Sequence, residues 1–189
     1  MTSTLISNIG QLVTNDPACG DGTELGLMHD CSIVVVDGNV AALIAAGAEP
    51  PVCDVLIDAA GRAVIPSFVD SHNHLMFAGD RSAEFTARMA GRPYEAGGIM
   101  TTVAATRTAT DDQVLAQARR LIAEGRSQGT GTVETKTGYE LTRDGELRQL
   151  RLASQLQSEG RVDAVTVLAA HVPPLEMKAD DYVRLIIEE

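Results

Sequence analysis

The sequence predicts an α/β chain in two parts, a β-rich segment over residues 1–62 and a parallel strand-and-helix domain over residues 63–189. Three observations carry this. Short apolar runs broken by turn residues fill the first third, a nearly continuous apolar run follows it, and helical and strand periodicities then alternate to the end.

In the first part, "LISNIGQLV", "CSIVVVDGNVAALIAAG" and "CDVLIDAAGRAVI" are separated by Asp-Gly, Pro-Pro and Gly-Arg turn signals. Such spacing predicts small antiparallel β structure. "AVIPSFVD" then reads as a strand covered on both faces in a parallel sheet, which puts the boundary near residues 61–64. "TDDQVLAQARRLIAEG" sets Val114, Leu115, Ala118, Leu121 and Ile122 at helical spacing behind a Thr110-x-x-Gln113 capping box, with Gly125 following. "GTGTVETK" is a strand, "DGELRQLRLASQLQSEG" a helix closed by Gly160, and "RVDAVTVLAAH" a further buried strand. This order implies a parallel sheet with right-handed crossovers. "ADDYVRLIIEE" places Tyr182, Val183, Ile186 and Ile187 on one helical face with aspartates in its first turn, then stops without a glycine cap and with Glu188 and Glu189 at the unfavourable end of the helix dipole. The expectation is a chain that ends inside a helix, a fragment.

Composition narrows the partners. With 15 basic and 26 acidic residues, a net charge of −11 and no basic cluster, the surface is not made for phosphate backbones or anionic lipid, and a small-molecule ligand is expected. Cys19, Cys31 and Cys53 are odd in number and form no CxxC pattern, which suits a reducing cytoplasm better than a disulfide framework. No basic leader and no run of about 18 apolar residues is present, so a soluble cytoplasmic protein is expected.

Chemistry concentrates where strands end. His72 and His74 lie two apart directly after the apolar run, so both imidazoles can aim at one point as metal ligands, with Asp70 placed to orient one of them; two surface histidines in a loop are the alternative. Arg81, after "FAGD", reads as a loop residue suited to bidentate capture of a carboxylate, or as a solvated arginine. Glu134 and Lys136 share a strand face. Tyr139, past Gly138, is either a ligand contact or a half-buried packing residue. His171 ends its strand before two prolines and is either functional or a satisfied structural histidine. His29 reads as a surface residue, and Gly129-x-Gly131 precedes a strand and so is no phosphate loop.

Taken together, "IPSFVDSHNHLMFAGDR", "GGIMTTVAATR", "TVETKTGYEL" and "LAAHVPP" resemble the imidazolonepropionase family of the amidohydrolase superfamily, and "TLISNIGQLVTNDP" and "VDGNVAAL" resemble its N-terminal β region. The resemblance runs over essentially the whole chain. "HLMFAGDR" and "TKTGYEL" are its specific parts, whereas HxH marks only the superfamily. It implies a TIM-type (β/α)8 barrel with a small β-sandwich, of which about three strand–helix units are present here. The implied reaction is hydrolysis of 4-imidazolone-5-propanoate to N-formimidoyl-L-glutamate in histidine degradation, with one zinc or iron ion. His72 and His74 would be metal ligands, Arg81, Tyr139 and His171 would contact the substrate, and the full-length form admits a homodimer. In that scheme the cation activates water, Arg81 holds the propanoate and His171 stabilises the carbonyl oxygen as charge develops. A carboxylated Lys136 in a two-metal site is the other arrangement, but the resemblance points to one metal.

Two local departures stand out: "GRPYEAGGI" is shorter than the family's loop at that place, and "HNHL" replaces the commoner "HTHL". The remaining ligands implied by the family, a further histidine and a late aspartate, have no counterpart in these residues. The rival expectation is therefore an inactive half that binds metal weakly and associates through its open sheet edge, or another amidohydrolase of the cyclic amidase or deaminase type. Reading the gene past the Glu189 codon separates a fragment from a natural stop.

Overall fold

The computed structural model describes residues 1–91, 98–167, 172–174 and 176–188. It forms two compact units, Met1–Pro66 and Ser67–Glu189.

The first unit is a five-stranded sheet of β1 (Ser3–Val13), β2 (Leu27–Val36), β3 (Asn39–Ile44), β4 (Val55–Asp58) and β5 (Ala63–Val64). β2 and β3 form a hairpin through Asp37 (φ 48°) and Gly38 (φ 82°), the left-handed pair that a two-residue turn needs to match strand twist. The strand order is β3-β2-β1-β4, with β5 also on β1. The sheet is not purely antiparallel, because β4 and β5 both run parallel to β1. The reason lies in the connection: the chain leaves β3 through residues 45–54 and returns beside β1 in the same direction. Between β4 and β5 the backbone crosses close over Gly10, whose absent Cβ would lie 2.2 Å from the Gly61 carbonyl oxygen. Only glycine allows that approach. Ile9, Leu12, Cys31, Ile33 and Ala59 make the core of this unit.

The run "AVIPSFVD" is divided between the units. Ala63–Val64 pairs with β1, Pro66 supplies no amide hydrogen, and β6 (Phe68–Asn73) opens the second sheet. The compact units divide after Pro66. β6 is not covered on both faces: it is an edge strand, with Phe68 58% and Val69 65% exposed.

The second unit continues with α1 (Ser82–Met89), α2 (Ile99–Thr108), α3 (Asp111–Ser127), β7 (Thr130–Lys136), α4 (Arg143–Ser158), β8 (Ala164–Thr166) and α5 (Ala179–Glu188). Its three strands are parallel in the order β6-β7-β8. α3 begins at the predicted capping box, with Thr110 N–H donating to Gln113 Oε1 at 2.9 Å and Gln113 N–H to Thr110 Oγ1 at 3.3 Å. It runs through Gly125 rather than stopping there, and the left-handed residue after it is Gly129 (φ 98°). Val114, Leu115, Ala118 and Ile122 of α3 pack with Val133 of β7 and with Leu152, Ala153 and Leu156 of α4. The alternation read from the sequence is thus a real layer, with α3 and α4 burying their apolar stripes around the central strand. Met76, fully buried in the same core, fixes the segment that follows β6.

Arg81 stands outside the helix, as the N-cap residue just before α1. On α5, Tyr182 is buried while Val183 and Ile187 are 53% and 77% exposed. Among the described residues no helix is long and apolar enough to cross a membrane.

Candidate active site

Parallel strands bring their C-terminal ends to one side of a sheet, and His72, His74, Glu134, Lys136 and Tyr139 lie at or just past the ends of β6 and β7. Asn73 of β6 lies beside Thr135 of β7, so the histidines flanking Asn73 stand next to the Glu134–Lys136 stretch. The rings of His72 and His74 have centroids 5.5 Å apart, inclined at 65°. His74 meets Tyr139 edge to face at 5.5 Å and 63°, and Tyr139 meets Phe77 at 5.7 Å and 61°. Such geometry sets the positive edge of one ring against the face of the next.

Beside this row, Lys136 pairs with the Glu134 carboxylate and donates to Thr166 Oγ1 at 3.2 Å, while the Thr166 hydroxyl donates to Glu134 Oε1 at 2.8 Å. The hydrogen bonds from Lys136 and Thr166 hold the Glu134 carboxyl below the usual carboxylate range, partial desolvation opposes them, and the charges of Lys136 and His72 add to the lowering. Glu134 is therefore a fixed anion within electrostatic reach of His72. Asp70 accepts a hydrogen bond from the backbone N–H of His72 at 3.3 Å, a contact that turns the main chain rather than the imidazole the sequence reading assigned to it.

Two hydroxyls hold the loop after His74. Thr135 Oγ1 accepts from Leu75 N–H at 3.1 Å, and Thr106 Oγ1 accepts from Ala78 N–H at 3.0 Å. Both threonines are fully buried. Sequence reasoning missed these and Phe77, because a threonine within a strand or helix has nothing in its local pattern to separate a loop anchor from a packing residue.

Arg81 is not part of the ring row. Its guanidinium engages Glu84 through Nε at 2.8 Å and Nη2 at 2.6 Å, and with Phe85, Arg88 and Met89 it lines a separate groove along α1. His171 lies outside the described residues. His29 is exposed on β2.

A metal–nitrogen distance of about 2.0–2.1 Å with near-tetrahedral angles sets two ligand ring centroids about 5 Å apart. The 5.5 Å spacing of His72 and His74 is compatible with two imidazoles that share a divalent ion. Among the described residues no group of three or more His, Cys, Asp or Glu side chains converges on one point.

Comparison with known proteins adds an independent line. Residues 55–159 match the model of the amidohydrolase family. The chain is 52% identical over 172 residues to an imidazolonepropionase of Streptomyces griseus subsp. griseus, covering 91% of this chain and 43% of that protein. It is 52% identical over 191 residues to that of Nocardia farcinica (100% and 47% covered) and 53% identical over 188 residues to that of Mycolicibacterium smegmatis (98% and 46% covered). The chain thus spans just under half the length of these curated relatives. Among solved structures, 5-methylcytosine deaminase from Klebsiella pneumoniae superposes with a TM-score of 0.62 at 19% identity, over 98% of this chain and 41% of that one. N-isopropylammelide isopropylaminohydrolase from Burkholderia multivorans gives 0.51 at 20% identity, over 99% and 43%. At such identities the likeness is one of fold.

Proposed function

Because this chain belongs to the imidazolonepropionase family of the metal-dependent amidohydrolases, we propose that it supplies the opening part of an active site that hydrolyses 4-imidazolone-5-propanoate to N-formimidoyl-L-glutamate. The observation that carries this reading is the row His72–His74–Tyr139 at the C-terminal ends of adjacent parallel strands. In the same reading, residues 63–189 are the first strand–helix units of a (β/α)8 barrel, residues 1–62 belong to a small β-sandwich, and the protein works in the cytoplasm.

His72 and His74 hold one zinc or iron ion, which when bound acts as a Lewis acid and makes water acidic enough to be deprotonated near neutral pH. Further ligands come from outside the described residues. The Glu134 carboxylate lies within electrostatic reach of His72, and its ion pair with Lys136 engages that lysine within the protein. Tyr139 presents its phenol beside the histidines and packs against one face of the imidazolone. Arg81 takes the propanoate carboxylate in a bidentate bond, in exchange for or alongside Glu84. His171 hydrogen-bonds the ring carbonyl oxygen, where negative charge builds up as water adds and is released as the C–N bond breaks and the leaving nitrogen takes up a proton.

The test is a chimera in which this sequence replaces the aligned 188 residues of the Mycolicibacterium smegmatis relative. The chimera is expected to retain a divalent metal and open the imidazolone ring. A folded, metal-loaded chimera that leaves the substrate intact refutes the assignment. Within it, His72→Ala and His74→Ala should each lower metal content and turnover together, and full metal stoichiometry in both variants would remove them as ligands. Arg81→Ala should mainly raise KM, since a carboxylate clamp holds ground and transition states alike. Unchanged kinetics would place Arg81 outside the site.

A further inference from the structure

The loop that carries Tyr139 is held in an unusual way. Its four successive backbone N–H groups, from Gly138 to Leu141, all donate to two side-chain oxygens of α4. Gly138 and Tyr139 donate to Gln149 Oε1 at 3.0 and 3.3 Å, and Glu140 and Leu141 to Glu146 Oε1 at 3.0 and 2.8 Å. Glu146 and Gln149 are three residues apart, hence on one face of the helix, and are 6% and 1% exposed. Gln149 has a second engagement: its Nε2 donates to the Met76 carbonyl at 2.8 Å, in the segment that follows His74. One amide therefore ties the His74 loop to the Tyr139 loop, and the two rings those loops carry are in edge-to-face contact.

We propose that Glu146 and Gln149 are positioning residues for the site, a clamp that sets where Tyr139 stands relative to His74. Neither is among the residues that reach the ring row. Their effect runs through the main chain: without a buried acceptor, four adjacent N–H groups turn toward other partners, and the loop turns with them. Leu141 shows how much is being held. It is fully buried with φ at 59°, a left-handed conformation that a branched side chain adopts only when its surroundings impose it. The importance of the clamp for turnover rests on the reading of Tyr139 as a substrate contact, whereas the clamp itself does not.

The experiment is a nuclear Overhauser measurement between the ring protons of His74 and Tyr139 in the 189-residue chain, with no metal or substrate added. The cross-peak is expected in the unaltered chain, lost in Glu146→Leu and Gln149→Leu, and retained in Glu146→Gln, whose amide oxygen still accepts both N–H groups. A merely structural role would lower the melting temperature of the leucine variants and leave the cross-peak of their folded form unchanged, and that result overturns the proposal. Should the leucine variants not fold, amide exchange in the unaltered chain decides. Gly138, Tyr139, Glu140 and Leu141 should be protected by at least about a hundredfold, and exchange at open-loop rates overturns the clamp. Because no step uses the imidazolone, loss of the clamp and failure of the hydrolase reading are seen separately.

Discussion

Replacing Arg148 by methionine should destabilise the second unit by about 3 kcal/mol, because this guanidinium closes several interactions under the Tyr139 loop. Its Nη1 pairs with Glu140 Oε1 at 2.7 Å and reaches the Thr106 carbonyl at 3.2 Å, Nη2 donates to the Ala109 carbonyl at 2.7 Å, and Nε pairs with Asp111 at 2.6 Å. The arginine side chain is 19% exposed and that of Glu140 only 5%. Removing one partner of a buried pair costs about 3–5 kcal/mol, since the remaining charge is left without compensation. The low end applies here, because the arginine keeps some solvent contact and the Asp111 partner is 58% exposed, where an ion pair is worth about 1 kcal/mol or less. With a urea m-value of about 2 kcal/mol/M, the midpoint should fall by about 1.5 M. A cycle with Glu140→Gln isolates the pair, since the neutral amide does not need the arginine. The double variant should recover at least about 1 kcal/mol relative to the sum of the single ones. A midpoint shift below about 0.5 M at constant m, or strictly additive effects, would refute this account of Arg148.

Leu156→Ala, in the core shared by α3, α4 and β7, should cost about 3 kcal/mol in the same urea assay, whereas Leu147→Ala on the exposed side of α4 should cost well under that. Equal losses would place the core elsewhere. Acid should weaken the link between α3 and the end of α4. Hydrogen bonding from Arg119, with a smaller bond from Gln155 and the charges of Arg119 and Arg161, holds the Glu159 carboxyl down at about 2 against an ordinary 4.5, despite some desolvation. A carboxyl lowered in the folded state stabilises it above the ordinary value and gives that contribution up as pH falls from about 4.5 toward 2. Stability measured over this range should therefore fall less in Arg119→Leu than in the unaltered chain, and parallel curves would count against the pair.

The exposed faces of β6 and α5 are in part apolar. Phe68, Val69, Val183 and Ile187 are apolar residues in regular elements with their side chains in solvent. They lie in a chain that matches less than half the length of its relatives.

The sequence by itself determined the α/β character of the second unit, because its signals are local. The Thr110–Gln113 box, the stripe from Val114 to Ile122, and Gly160 at the end of α4 each act within a few residues, and each stands where its pattern put it. It also determined that His72 and His74 come together, since alternation along an extended backbone sets residues two apart on one side. Tertiary structure alone decided the rest, because those outcomes depend on groups distant in sequence. β4 and β5 run parallel to β1 only because a long connection returns beside it. "AVIPSFVD" is cut in two because Ala63 and Val64 find partners in one sheet and Phe68 in another. Tyr139 reaches His74 through residues of α4 that follow it by up to ten positions, and Arg81 pairs with Glu84. No pattern of hydrophobicity records such contacts, since a buried glutamine or glutamate on a helix differs from a solvated one only in what the rest of the chain places opposite it.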